Sequence, residues 1–245
     1  RFISNLIYKK YSKKSLVGKL NKFFKTKRFD YYDDYIKVNA RVYDRLKIEK
    51  NLKVSEKYIT FVDTNLEHET KIEYEGRFNK EHIKEYYRRL NKYLRNLEKT
   101  FKKKVVICVH PNPNYKLSDS KKLFKDFKVV KYQTDHYVRN GYIIVAFSSS
   151  IIVDAIYYKK KIICLDSELM GKHHNFTNQI YPKAANIFLQ NFDKDLIIDK
   201  KKLTKELNKR IKNYDKYINE KIMVDGNNIG VEKISRILQK KYYIT

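Results

Sequence analysis

The chain has 245 residues, of which 42% are hydrophobic, enough to bury one large core. It carries a net charge of +27, and no run of about 18 apolar residues occurs, which excludes a transmembrane helix. Only six glycines are present, which excludes both a Walker-type loop and a GxGxxG fingerprint.

The positive charge invites a nucleic-acid reading. Lysine far outnumbers arginine, however, and Lys, Asn, Ile and Tyr are abundant together, the composition of an AT-rich genome. Zinc-finger spacing and aromatic ribonucleoprotein motifs are missing, and arginine, the preferred reader of base edges, is scarce. Nucleic acid is therefore not the favoured partner. Cys108 and Cys164 both fall in apolar runs and read as small buried hydrophobes in a reducing, cytoplasmic setting.

The segment 1–56 reads as a basic linker or the remnant of an upstream domain, because the chain begins at Arg1 and shows no strand series here. Arg1 to Phe29 hold no acidic residue. Leu16, Leu20, Phe23 and Phe24 recur at helical spacing among Lys13, Lys14, Lys19, Lys22, Lys25 and Lys27. A basic amphipathic helix fits an anionic membrane surface, and equally a helix packed on a preceding domain.

Residues 57–245 read as one domain. Tyr58–Val62 is the first strand, and its polar exit begins at Asp63. The loop 63–77 carries Asp63, His68, Glu69, Glu73 and Glu75; Asp63 and Glu75 are candidate general bases, against the alternative of a solvated hairpin. Residues 80–103 form a helix with Ile83, Tyr87, Leu90, Leu94, Leu97 and Phe101 on one stripe. Strand 105–109 follows, then a helix near 118–125, strand 128–132, a helical turn, strand 142–147, helix 149–157 and strand 161–165. A helix over about 174–185, a stripe of Leu203, Leu207, Ile211, Tyr214 and Ile218, and a last helix near 229–241 close the chain. Strands alternating with helices, with central strands apolar throughout, predict an α/β fold: a Rossmann-like, doubly wound parallel sheet.

Two strand exits carry the chemistry. Strand 105–109 ends in His110-Pro111, where proline fixes the exit and the imidazole can donate to a phosphate. Strand 142–147 ends in Ser148, Ser149 and Ser150, more hydroxyls than a helix cap needs, at a helix N-terminus suited to anions. Thr134, Asp135, Asp154 and Glu168 are candidate rim residues for a nucleotide, with Asp154 facing either the site or solvent. His173 and His174 are adjacent and point apart, so no metal is expected.

The order strand–His110-Pro111, strand–Ser148-Ser149-Ser150, helix–Asp154, strand Lys161–Leu165 resembles the C-terminal donor-binding half of GT-B glycosyltransferases from bacterial surface-polysaccharide pathways. It looks most like enzymes with CMP-activated donors, the sialyltransferases and Kdo transferases, which carry HP and SS motifs. The resemblance covers roughly 57–240. It implies that His110, Pro111 and the three serines hold the nucleotide phosphate, that no cofactor or metal takes part, and that a sugar passes to a surface glycan or glycolipid. It also implies a cytoplasmic enzyme, peripheral on the inner membrane face if the basic segment binds lipid. The paired-acid motif of sialyltransferases is matched only approximately by Glu73-Tyr74-Glu75-Gly76. Glycerophosphotransferases that use CDP-glycerol show a similar arrangement and are the enzyme alternative. A charge-driven nucleic-acid or anionic-membrane module is the non-enzyme alternative.

Overall fold

The computed structural model describes residues 39–48, 55–64, 66, 80–112, 114–170, 176–194, 197–223, 232–233 and 235–236. The acidic loop from His68 to Glu75, the basic segment 1–28 and His173-His174 lie outside the described residues.

Apolar residues on both sides of the pleat force a strand to be covered on both faces, and the central strands here are so covered; the described residues form six strands. They are β1 Tyr58–Val62, β2 Val105–Cys108, β3 Lys128–Val130, β4 Gly141–Ala146, β5 Lys161–Asp166 and β6 Phe188–Asn191. All pair in parallel, in the order β3-β2-β1-β4-β5-β6. This is a Rossmann-like doubly wound sheet. The order reverses between β1 and β4, the place where such sheets open a crevice at their carboxyl edge.

The helices are α1 Arg41–Ile48, α2 Lys80–Phe101, α3 Leu117–Leu123, α4 Thr134–Arg139, α5 Ile151–Tyr157, α6 Ile180–Ala185, α7 Lys200–Ile211 and α8 Tyr214–Tyr217. One face of the sheet packs Ile59, Phe61, Ile107, Val145 and Ile163 against the α2 stripe and Leu207 of α7. The opposite face packs Val106, Ile144, Ala146 and Ile162 against α4, α5 and α8. The period-two alternation along each strand distributes its residues between the two layers.

Several boundaries differ from expectation. Strand β3 stops at Val130 rather than 132, because Tyr132 turns into a left-handed conformation at φ 62°. Helix α5 begins at Ile151 rather than 149, since Ser148 and Ser149 complete the strand exit. The C-terminal stripe is broken at Lys212–Asn213 into α7, α8 and a π-turn over Ile218–Ile222. Sequence patterning passed over β6, whose residues are half-exposed on the sheet edge, and over α1. Helix α1 lies against α5, and the Ala40 amide donates to the Ile222 carbonyl at 3.0 Å.

Candidate functional site at the carboxyl edge

Parallel strands all deliver their exits to one edge, so the exits of β1, β2, β3 and β4 are neighbours by topology. The β2 and β4 ends flank β1 and are about 10 Å apart at the ordinary strand spacing. The structure therefore brings His110 and Ser148–Ser150 to either side of the switch point, with Asp63 between them.

His110 is exposed at the exit of β2. Its Nδ1 accepts from the Asn112 amide at 3.1 Å, and its ring meets Tyr115 edge-on at 5.6 Å between centroids. An acceptor at Nδ1 places the imidazole proton on Nε2, so the outward nitrogen is a donor. The loop that holds it is clamped from β3. Lys131 Nζ donates to the carbonyls of Asn112 at 2.9 Å and Tyr115 at 2.6 Å. Pro111 is exposed at the start of this loop.

The serine exit of β4 is held by its backbone. The Ser148 amide donates to Asn178 Oδ1 at 3.1 Å, and the carbonyls of Ser149 and Ser150 accept the first amides of α5. Ser150 makes no side-chain capping bond, so its hydroxyl is not consumed in starting the helix. At seven residues α5 is short, and the three hydroxyls at its start are the donors this exit offers besides its backbone amides. Asn178 is 1% exposed and also bonds Asp166, whose carboxyl is raised by burial.

Asp63 is 2% exposed and continues the β1 alternation toward α2. It lies beside Tyr86, whose hydroxyl is held well above its ordinary range by burial first and by the Asp63 charge second. Glu75 lies outside the described residues.

The rim candidates divide. Thr134 bonds the Cys108 side chain at the end of β2, while burial pushes that thiol up to about 12. Asp154 is turned away from solvent: it is 3% exposed, and it and Asp135 both bind the guanidinium of Arg45 on α1. Burial raises the Asp154 carboxyl to about 6 despite Arg45, since one cation serves two carboxylates. Glu168 is exposed on a 3-10 turn beyond β5, where its amide donates to Asp193 at 2.6 Å.

Next to His110 a cleft of about 620 Å³ opens between Tyr115, Leu117, Val130, Lys131, Tyr132 and Gln133. Of the four non-glycine residues with positive φ among the described residues, Lys102, Lys159 and Asn186 follow helices, where a left-handed residue ends the ladder. Tyr132 does not. It is 68% exposed at the cleft and held in a conformation costly for a bulky side chain. Sequence reasoning missed Lys131, Tyr132, Arg45 and Asn178. Lys131 and Tyr132 had a signal, their place directly after a buried parallel strand; Arg45 and Asn178 had none.

No protein-family model matches the chain, and no curated protein matches it by sequence. Solved structures resemble it at low identity. One is MnaA of S. aureus, solved with UDP, at 13% identity and a TM-score of 0.43 over 87% of this chain and 54% of that one. A second is the UDP-GlcNAc 2-epimerase of Methanocaldococcus jannaschii with UDP-GlcNAc and UDP, at 19% identity and a TM-score of 0.44 over 84% of this chain and 54% of that one. A third is the wall teichoic acid polymerase TagF with CDPG, at 14% identity and a TM-score of 0.35 over 81% of this chain and 45% of that one. The chain spans about half the length of these structures.

Proposed function

We propose that this chain is the donor-binding half of a GT-B glycosyltransferase that uses a nucleotide-activated sugar, with a CMP-activated nonulosonate or Kdo as the donor class. The observation that carries the reading is the donor pair across the switch point: His110, with its proton on Nε2, and the Ser148–Ser150 hydroxyls. The adjoining cleft is large enough for a nucleoside, and Tyr132 offers a ring face on which a base can stack.

The chemistry follows from charge. Breaking the glycosidic bond leaves the nucleotide phosphate with more negative charge than it had in the donor. Donors already aimed at that phosphate stabilise the transition state more than the ground state. The acceptor is a glycan or glycolipid whose hydroxyl proton passes to a carboxylate. Asp63 and Glu75 are the candidates for that role. Asp63 stands at 2% exposure, so an acceptor reaches it only if the β1 exit opens.

The test is thermal unfolding with CMP, CDP, UDP and GDP. A ligand at about 100 times its Kd adds about 2.7 kcal/mol, a rise in Tm of about 5–10 °C for a domain of this size. CMP is expected to give the largest rise, and His110→Ala and Ser149→Ala to remove most of it. A larger rise with CDP selects the glycerophosphotransferase reading. No response to any nucleotide, or an undiminished response in both variants, refutes the assignment.

A further inference from the structure

Lys131 is the first residue after β3, and β3 is paired with β2 to its end. Val130 lies opposite Cys108, and its carbonyl accepts the Val109 amide at 3.0 Å. The lysine therefore emerges beside the first residues beyond β2, among them His110. Its ammonium turns into the loop that follows them. It donates to the Asn112 carbonyl at 2.9 Å and to the Tyr115 carbonyl at 2.6 Å, and it stands 5.0 Å from the centroid of the Tyr132 ring.

The same two loop residues meet the His110 ring. The Asn112 amide donates to Nδ1 at 3.1 Å, and Tyr115 packs edge-on at 5.6 Å between centroids. Asn112 is fixed further by its own turn: its carbonyl also accepts the Tyr115 amide at 3.1 Å, and its Oδ1 accepts the Asn114 amide at 3.0 Å. The loop is gathered around one cation, and the imidazole is held by the residues that this cation holds. A neutral imidazole carries one proton, and the nitrogen that accepts a hydrogen bond decides where the proton sits. With the Asn112 amide on Nδ1, Nε2 is the donor. The other tautomer turns a bare lone pair toward an anion and repels it.

We propose that Lys131 is the positioning residue that sets the tautomer and aim of His110, acting through Asn112 and Tyr115 rather than on the ligand. Its effect on a nucleotide rests on His110 holding the donor phosphate, the reading proposed above; its effect on the imidazole does not.

The experiment has two readouts on the whole chain. The first is the imidazole nitrogen NMR spectrum of the ligand-free chain at alkaline pH, where imidazoles are neutral. The His110 signals are assigned by their loss in His110→Ala. The wild type is expected to show widely separated Nδ1 and Nε2 signals, and Lys131→Met to draw them together as the second tautomer enters. Unchanged signals overturn the inference, whatever the nucleotide does. The second readout is calorimetric titration with CMP in a double-mutant cycle. Lys131→Met is expected to weaken CMP about tenfold, the loss of one charged hydrogen bond. In the His110→Ala background it should weaken CMP only about twofold, through the Tyr132 contact. A tenfold loss in both backgrounds means that Lys131 holds the ligand itself, and overturns the inference. Lys131→Cys alkylated with bromoethylamine restores an ammonium at nearly the same reach, while Cys108 and Cys164, 1% and 0% exposed, stay unmodified. Both readouts should return toward the wild type, and failure to return overturns the inference. If CMP does not bind the wild type, the donor reading fails by itself, and the imidazole spectrum still decides the role of Lys131.

Discussion

Asp154→Asn isolates what a shared cation fails to neutralise. Asp154 is 3% exposed, and its carboxyl rises from 3.8 to about 6 because burial outweighs Arg45 and because Asp135 competes for the same guanidinium. The folded chain therefore holds a proton that the unfolded chain releases between those two pH values. A raised carboxyl contributes stability below the unfolded value and loses it as pH rises through the folded one. About two units at about 1.4 kcal/mol each give close to 3 kcal/mol. Asparagine has no proton to lose. The Asn variant is therefore expected to gain on the wild type by up to about 3 kcal/mol between pH 4 and pH 7.5. Urea unfolding of both proteins at both pH values measures this. The double difference cancels titrations outside the Arg45, Asp135 and Asp154 cluster, including most of the self-repulsion of a chain at +27. A double difference of zero, or one favouring the wild type at pH 7.5, refutes the reasoning and means that Arg45 does neutralise Asp154.

Three further outcomes concern Gly141, Asn178 and Tyr132. Gly141→Ala places a methyl 2.5 Å from Ile144 Cδ1 and 3.0 Å from both Thr60 Oγ1 and the Tyr137 carbonyl, at the first pairing of β1 with β4. Urea unfolding is expected to show a loss of about 1–3 kcal/mol, and an unchanged midpoint refutes it. Asn178→Ala leaves the Ser148 amide without its 3.1 Å acceptor, costing about 1–3 kcal/mol. Hydrogen exchange should quicken at Ser148 and leave the centre of β4 protected. Tyr132→Gly relieves the positive φ by about 1–2 kcal/mol and loosens the unfolded chain by a similar amount. Stability should stay within about 1 kcal/mol while the nucleotide-induced rise in Tm shrinks. An intact rise removes Tyr132 from the proposed stacking role.

The layers were legible because parallel strands buried on both faces leave unbroken apolar runs, as in Val105–Cys108 and Ile143–Ala146. Strand β6 was not, since Phe188–Asn191 pairs on one side only and keeps polar residues on a half-exposed edge. The site was legible to the extent that a strand exit announces itself: His110 and Ser148–Ser150 follow apolar runs directly. Asp154 shows the limit. Its place on α5 was readable, but its partner comes from Arg45, 109 residues upstream, in a segment whose pattern suggested a linker. Lys131 shows a different limit. A lysine after a strand looks like ordinary surface charge in a lysine-rich chain, and only the two carbonyls it reaches reveal that it shapes the His110 loop.

The position of β1 at the middle of the sheet has a consequence for how the chain is made. Its partner on one side, β2, begins at Val105, but its partner on the other, β4, begins at Gly141. During synthesis the β3-β2-β1 half can assemble while the inner edge of β1 still waits for its neighbour. That edge belongs to Ile59, Thr60, Phe61 and Val62, all destined for the core. An unpaired apolar edge is a template for pairing with another chain. Closing it over such a separation is a slow, non-local step. Truncation of this protein between β3 and β4 should therefore produce aggregates rather than a soluble half-sheet, and the crevice at the switch point exists only once β4 has docked.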